Sequence, residues 1–154
     1  NLILFDVWHH LQYPGSALEE FSRVLKKGGR IIIFDPAVSL LGCIVFGLFH
    51  HEPLALKQPI QWSMPKGVDI ENMTYYAAQG NAHRVFQQKE FLLENFDLLK
   101  LKRFSALSYV MSGGFSHRQL YPDNLYELIL KAERFMDIFP SLFATRILIV
   151  LNKK

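Results

Sequence analysis

Residues 1 to 36 read as strand, loop, helix, tight turn and strand without interruption, and no other stretch constrains the fold as much. Leu2-Ile3-Leu4-Phe5 is a short apolar run that stops at Asp6, the pattern of a parallel strand buried on both faces. Polar side chains follow in Val7-Trp8-His9-His10-Leu11, at the strand's carboxyl end, where open α/β sheets bind their ligands. A helix comes next. Ser16 is placed to cap it with Glu19 reaching back, and Leu18, Phe21 and Leu25, with Ala17 and Val24, make its apolar face. Lys26 and Lys27 fall in the expected last turn, favourable to the helix dipole, and Gly28-Gly29 supply a left-handed residue to end it. Ile31-Ile32-Ile33-Phe34 is a second buried-type run, stopped by Asp35-Pro36.

Three pieces of this unit carry a family resemblance: Asp6 to Leu11 (DVWHHL), Ala17 to Gly29 (ALEEFSRVLKKGG) and Arg30 to Pro36 (RIIIFDP). They resemble the fourth strand, following helix and fifth strand of class I S-adenosylmethionine-dependent methyltransferases. The resemblance implies an α/β, Rossmann-like sheet with S-adenosylmethionine as cofactor. It also implies that Asp6, flanked by Phe5 and Val7, lines the methionine end of that ligand; the alternative is that Asp6 caps the loop. The family's glycine-rich turn and the acidic residue after its second strand are not found in these 154 residues. The chain is therefore expected to be the C-terminal part of a single methyltransferase domain, completed by the missing N-terminal half and inactive or nearly so without it.

Composition supports one folded domain: 50% of residues are hydrophobic and 20% charged. Seventeen basic against fourteen acidic residues give only +3, dispersed along the chain. That is no nucleic-acid footprint. The single Cys43 excludes an internal disulfide and fits a reducing, cytoplasmic compartment; as a free thiol it is expected to be buried and inert. Val38 to Phe49 is apolar but too short to span a bilayer. It is expected to be a buried helix or, on the sharper reading, an interfacial helix over the cofactor cleft giving peripheral membrane contact or access to a lipid-linked acceptor.

Residues 37–86, rich in aromatics, Gly and Pro, read as an inserted cap, a length more often functional than idle. By resemblance the cap carries acceptor specificity. Gln88 to Asn95 is expected to be a short helix with Phe91 and Leu92 inward, and Leu98 to Phe104 an edge strand guarded by Lys100 and Lys102. Gly113-Gly114 marks a sharp turn. From Pro122, the residues Leu125, Leu128, Ile129, Ala132, Phe135, Met136 and Phe139 draw a helical stripe, read as core, that Pro140 ends. Thr145 to Leu151 is a last buried-type strand. By resemblance the strand order is four, five, seven, six, with the seventh antiparallel. The phrase Ser112 to Ser116 (SGGFS) and Phe49 to Pro53 (FHHEP) also resemble bacterial methyltransferases of the type 11 group, which points to a small-molecule, glycan or lipid-linked acceptor.

Methyl transfer from a sulfonium needs chiefly alignment of nucleophile and methyl group. A hydroxyl acceptor must also lose a proton, and His9 or His10 stands at the right end of the right strand to take it. The alternative has His10 bonded to backbone, fixing the loop. Asp35 either faces the acceptor or, as favoured, caps the following turn. His50-His51-Glu52 does not have the spacing that places two histidines a helical turn apart on a metal, so these are expected to be solvated loop residues or substrate contacts. His83 and His117 carry no pattern, and Trp8 and Trp62 are expected in the core or cleft wall. The rival to the enzyme is a non-catalytic, degenerate methyltransferase module that binds a protein partner or a membrane surface.

Overall fold

The computed structural model describes residues 1–89, 91, 93–113 and 118–154. Among the described residues four strands, β1 (Leu2–Phe5), β2 (Arg30–Pro36), β3 (Phe96–Phe104) and β4 (Arg146–Lys153), form one sheet in the order β1-β2-β4-β3. β1 and β2 are parallel, and β4 runs antiparallel to both of its neighbours. The architecture is the expected α/β one, with the last strand inserted between the second and the third. Helix α1 (Pro14–Val24) joins β1 to β2. After β2 come α2 (Leu40–Leu48), α3 (Leu107–Met111), α4 (Tyr126–Met136) and α5 (Pro140–Phe143).

One sheet face holds the core. Leu4, Ile31, Ile33, Ile147, Ile149 and Leu151 alternate toward it and meet Trp8, Leu18, Val85 and Phe86. The period-2 rule sends their neighbours to the opposite face, where Ile3 is 74% exposed and Phe5 stacks on Phe34 with centroids 4.7 Å apart. The expectation of burial on both faces therefore fails for β1. It lies at the sheet edge, and the apolar run alone could not say how much of its second face would be covered.

The start and end of α1 also differ from expectation. Pro14 opens the helix with its fixed φ, no side chain caps it, and Ser16 Oγ instead accepts from the Met64 N–H at 2.9 Å. Lys26 and Lys27 lie beyond the last helical residue, and Val24 is exposed. The cation that meets the helix C-terminus is Lys153, whose Nζ donates to the carbonyls of Ser22 and Leu25. Gly28, at φ +74°, makes the turn as expected, and its N–H donates to the Lys153 carbonyl at 3.0 Å.

Helix α2 is capped by Ser39, whose Oγ accepts from the Gly42 N–H at 2.9 Å. It is not a buried helix. Gly42 and Phe46 pack inward, while Leu48 and Phe49 are 75% and 78% exposed. Among the described residues no helix is long and apolar enough to cross a membrane. Cys43 is only partly buried. A Cβ at Gly42 would lie 2.2 Å from the Ala37 carbonyl and 3.2 Å from that of Ala144. Both are backbone atoms that cannot rotate away. Gly42→Ala is expected to lower stability by about 1–3 kcal/mol, read as a lower urea midpoint at unchanged m value; an unchanged midpoint would show that α2 can shift freely.

Several later expectations are corrected. The helical turn before β3 is a π turn at His83–Gln87, and the described residues of 88–95 are not helical. Leu92, Gly114, the end of the Ser112 to Ser116 phrase and His117 lie outside the described residues. The stripe on α4 is not core: Ile129 is buried, but Leu128, Ala132 and Phe135 face solvent. Pro140 opens α5 after a turn and does not itself end α4. β3 is an edge strand with Lys100 and Lys102 exposed, as expected.

Residues 49–82 form an irregular cover tied down by backbone. Gly15 donates to the Trp62 carbonyl at 2.8 Å, Ala78 to that of His9 at 2.9 Å, and Gly80 to that of Leu54 at 2.9 Å. Trp62 stacks on Phe91 with centroids 4.4 Å apart. Trp8 is fully buried.

Candidate functional site

The site begins where β1 runs out. Asp6 takes a left-handed conformation, φ +53°, while its N–H still donates to Phe34 at 2.9 Å. The chain then winds into one 3-10 turn at Trp8–His10. Asp35, fully buried at the end of β2, holds that turn with a single oxygen: Oδ1 accepts from the Trp8 N–H at 3.1 Å and meets His9 Nδ1 at 3.0 Å. Asp35 thus caps the turn before it in the chain, not the one that follows.

His9, 3% exposed, lies between two carboxylates, with its Nε2 3.4 Å from Glu52 Oε2. Burial pulls the His9 pKa down most strongly, but the Asp35 hydrogen bond and the charges of Asp35, Glu52 and Asp6 together outweigh it and hold the value above the ordinary 6.5. Complete burial pushes the Asp35 carboxyl up, against the pull of His9. His10 is half-buried and its Nδ1 lies 3.1 Å from the Tyr76 carbonyl. Its Nε2 is 3.8 Å from Glu52 Oε1.

Glu52 is a buried residue, contrary to the expectation of a solvated loop. The Tyr75 hydroxyl and the Gln79 amide donate to its two oxygens. Burial raises its pKa, but the Tyr75 bond and the nearby histidines overcome this and leave it lowered. Accepting from Tyr75 also holds the phenol in its protonated form, with a pKa pushed up to about 12. His50 is pushed down by burial. A cavity of about 330 Å³ is bounded by His10, Tyr13, Met64 and Met73, and another of about 370 Å³ by Glu52, Pro53, Tyr75 and Tyr76.

The residues assigned to the cofactor stand on the other side of His9. Asp6 accepts from Arg146 Nη1, and from the Tyr109 hydroxyl at 2.8 Å. Val7 is exposed and Phe5 lies on the aromatic face with Phe34 and Tyr109. Asp6, His9 and Asp35 nonetheless bring ligand-type atoms within 4.8 Å of one another, so the structure sets Asp6 near His9 while Val7 stays exposed and Phe5 stays on the aromatic face. It adds Glu52, Tyr75, Tyr76 and Arg146. Glu52 had a signal in its two neighbouring histidines, and Arg146 in being a charge at the head of an apolar strand; the two tyrosines had none.

Residues 2–33 match a family model described as a methyltransferase domain. The match supports the class I methyltransferase resemblance of this unit. The match covers β1, α1 and the first part of β2, the unit that positions Asp6, His9 and His10. Members of this family transfer methyl groups, in general from S-adenosylmethionine. No curated protein matches the chain.

Proposed function

We propose that the protein containing this chain transfers a methyl group from S-adenosylmethionine to a hydroxyl of a small-molecule, glycan or lipid-linked acceptor. The observation that carries the reading is the methyltransferase match over residues 2–33, on a strand whose carboxyl end carries the Asp6 and His9 cluster. Asp6, with Phe5 and Val7 beside it, faces the methionine end of the cofactor, whose remaining contacts come from a preceding half of the domain. The proton of the acceptor leaves through the His9, His10 and Glu52 cluster. His10 is the imidazole on a cavity wall; His9, enclosed by Asp35 and Glu52, acts through its neighbours. The exposed apolar end of α2 supports an acceptor carried on a lipid and peripheral contact with a membrane; the compartment proposed is the cytoplasm.

A second reading, a non-catalytic module, is favoured by one observation. Ile3 stands 74% exposed on the outer face of β1, apolar surface of the kind a protein partner covers. The test uses the protein as its gene encodes it, with S-adenosylmethionine labelled in the methyl group and hydroxyl-bearing acceptors that include lipid-linked glycans. Label in an acceptor supports the enzyme. Failure to bind the cofactor at all sinks it and leaves the module.

A further inference from the structure

Around Glu52 the hydrogen positions follow from the partners. The Tyr76 carbonyl can only accept, so His10 Nδ1, 3.1 Å away, carries a hydrogen. His9 Nδ1, 3.0 Å from Asp35 Oδ1, carries one when Asp35 is ionised. In a neutral imidazole so arranged, Nε2 is a bare lone pair. Both Nε2 atoms approach the same carboxylate, at 3.4 Å from His9 and 3.8 Å from His10. Lone pair facing lone pair is repulsive unless a proton or a metal cation lies between, and across 3.4 and 3.8 Å a proton makes only a weak bond.

The spacing fits such a cation. These separations are too long for strong hydrogen bonds, but nitrogen and oxygen ligands held about 2.0–2.1 Å from a four-coordinate ion sit about 3.4 Å apart. His9, His10 and Glu52 can each offer one ligand atom with all three within 4.8 Å of one another. The outer contacts are those that metal-binding groups receive: a carboxylate on His9, a carbonyl on His10, and donors from Tyr75 and Gln79 on Glu52. Each Glu52 oxygen keeps lone-pair capacity after accepting one bond.

We propose that His9 Nε2, His10 Nε2 and the Glu52 carboxylate form a binding site for one divalent transition-metal ion of the zinc class. Two imidazoles and a carboxylate suit such an ion better than an all-oxygen or thiolate-preferring one. His50 and His51 also approach Glu52, at 3.7 and 3.8 Å. They are not among the ligands: His50 Nδ1 accepts from the Glu52 N–H at 3.3 Å, and the His51 side chain is 79% exposed. Three protein ligands leave a coordination position for water or an acceptor oxygen, which the ion would polarise as a Lewis acid. Metal binding is measured without cofactor or acceptor, so its test is separate from that of methyl transfer; with an ion bound, the acceptor's proton would leave to a metal-bound hydroxide and not to the Nε2 of His10.

The protein as its gene encodes it, freed of metal with a chelator, is titrated with Co²⁺ and followed by visible absorption, then challenged with Zn²⁺. One equivalent should bind with the strong absorption of four-coordinate Co²⁺, and Zn²⁺ should abolish it. His10→Gln removes a ligand at a half-buried position and should weaken binding by more than the about 10–100-fold typical of losing an outer partner; Glu52→Gln should do the same. Far-ultraviolet circular dichroism checks that each variant is folded, and His10→Gln decides if Glu52→Gln is not. Absence of stoichiometric binding, or equal binding by a folded His10→Gln variant, overturns the proposal.

Discussion

Asp35→Ala is expected to destabilise the protein by about 3–5 kcal/mol, the usual cost of removing one partner from a buried, paired charge. The size follows from how much one oxygen does. Oδ1 serves both the Trp8 N–H and His9 Nδ1, neither residue being more than 3% exposed, so the variant strands a buried donor on each. Urea unfolding at constant m value measures the loss, and a change below about 1 kcal/mol, typical of a surface substitution, would show that the turn holds without Asp35.

The same pair has a pH signature in metal-free protein. His9 has a folded pKa above 6.5, so its contribution to stability is fully present below that pH and is lost as pH rises through the folded value. Asp35, raised above 3.8, acts in the same sense at lower pH. His50 and His83, whose values are lowered by burial, act oppositely but only below 6.5. Above pH 6.5 the urea midpoint of the wild type should therefore fall while that of His9→Gln stays level. A level wild-type profile there would refute the pairing.

Arg146→Met is expected to cost about 3 kcal/mol, the low end for a broken buried pair, because the Asp6 side chain keeps 22% of its exposure and some solvent screening. The guanidinium opens β4, pairs with Asp6 and lies 4.4 Å from the centre of the Tyr109 ring. Methionine keeps the apolar packing and deletes the charge. Asp6→Asn is the informative partner, since asparagine also tolerates the left-handed backbone at this position. If the ion pair is the cause, the double variant should lose measurably less than the sum of the two single losses; additive losses would assign the effect to packing.

What could be read from the residues was set by period and punctuation. The runs at residues 2–5 and 31–34 fall within the strands, and the apolar run of β4 is equally plain. Strand β2 nevertheless carries on through Asp35 and Pro36, its expected stop, which instead pair with Ile147 and Arg146. Burial was legible only for one face. Ile3 and Phe5 read like Leu4, and α4 shows the same ambiguity, because an apolar stripe marks a face that can be buried without saying what buries it. Local capping failed at Ser16, where a long-range donor from Met64 won the hydroxyl. The site was half visible. His9 and His10 follow from their place at a strand end, but Glu52 reaches them from beyond α1, β2 and α2, more than forty residues on, and no periodicity records that contact. Asp35 was visible as a strand-ending carboxylate, and only the fold reveals that it turns back toward Trp8.

The backbone ties of the cover have a practical meaning for redesign. Because Ala78 bonds the carbonyl of His9 itself, and Tyr76 the ring of His10, residues 49–82 belong to the scaffold of the site as much as to its walls. Swapping the whole segment for another would remove the backbone ties that hold the two histidines. Substitutions meant to reshape the cavity should leave those backbone contacts intact and vary side chains on its wall, such as Met64 and Met73.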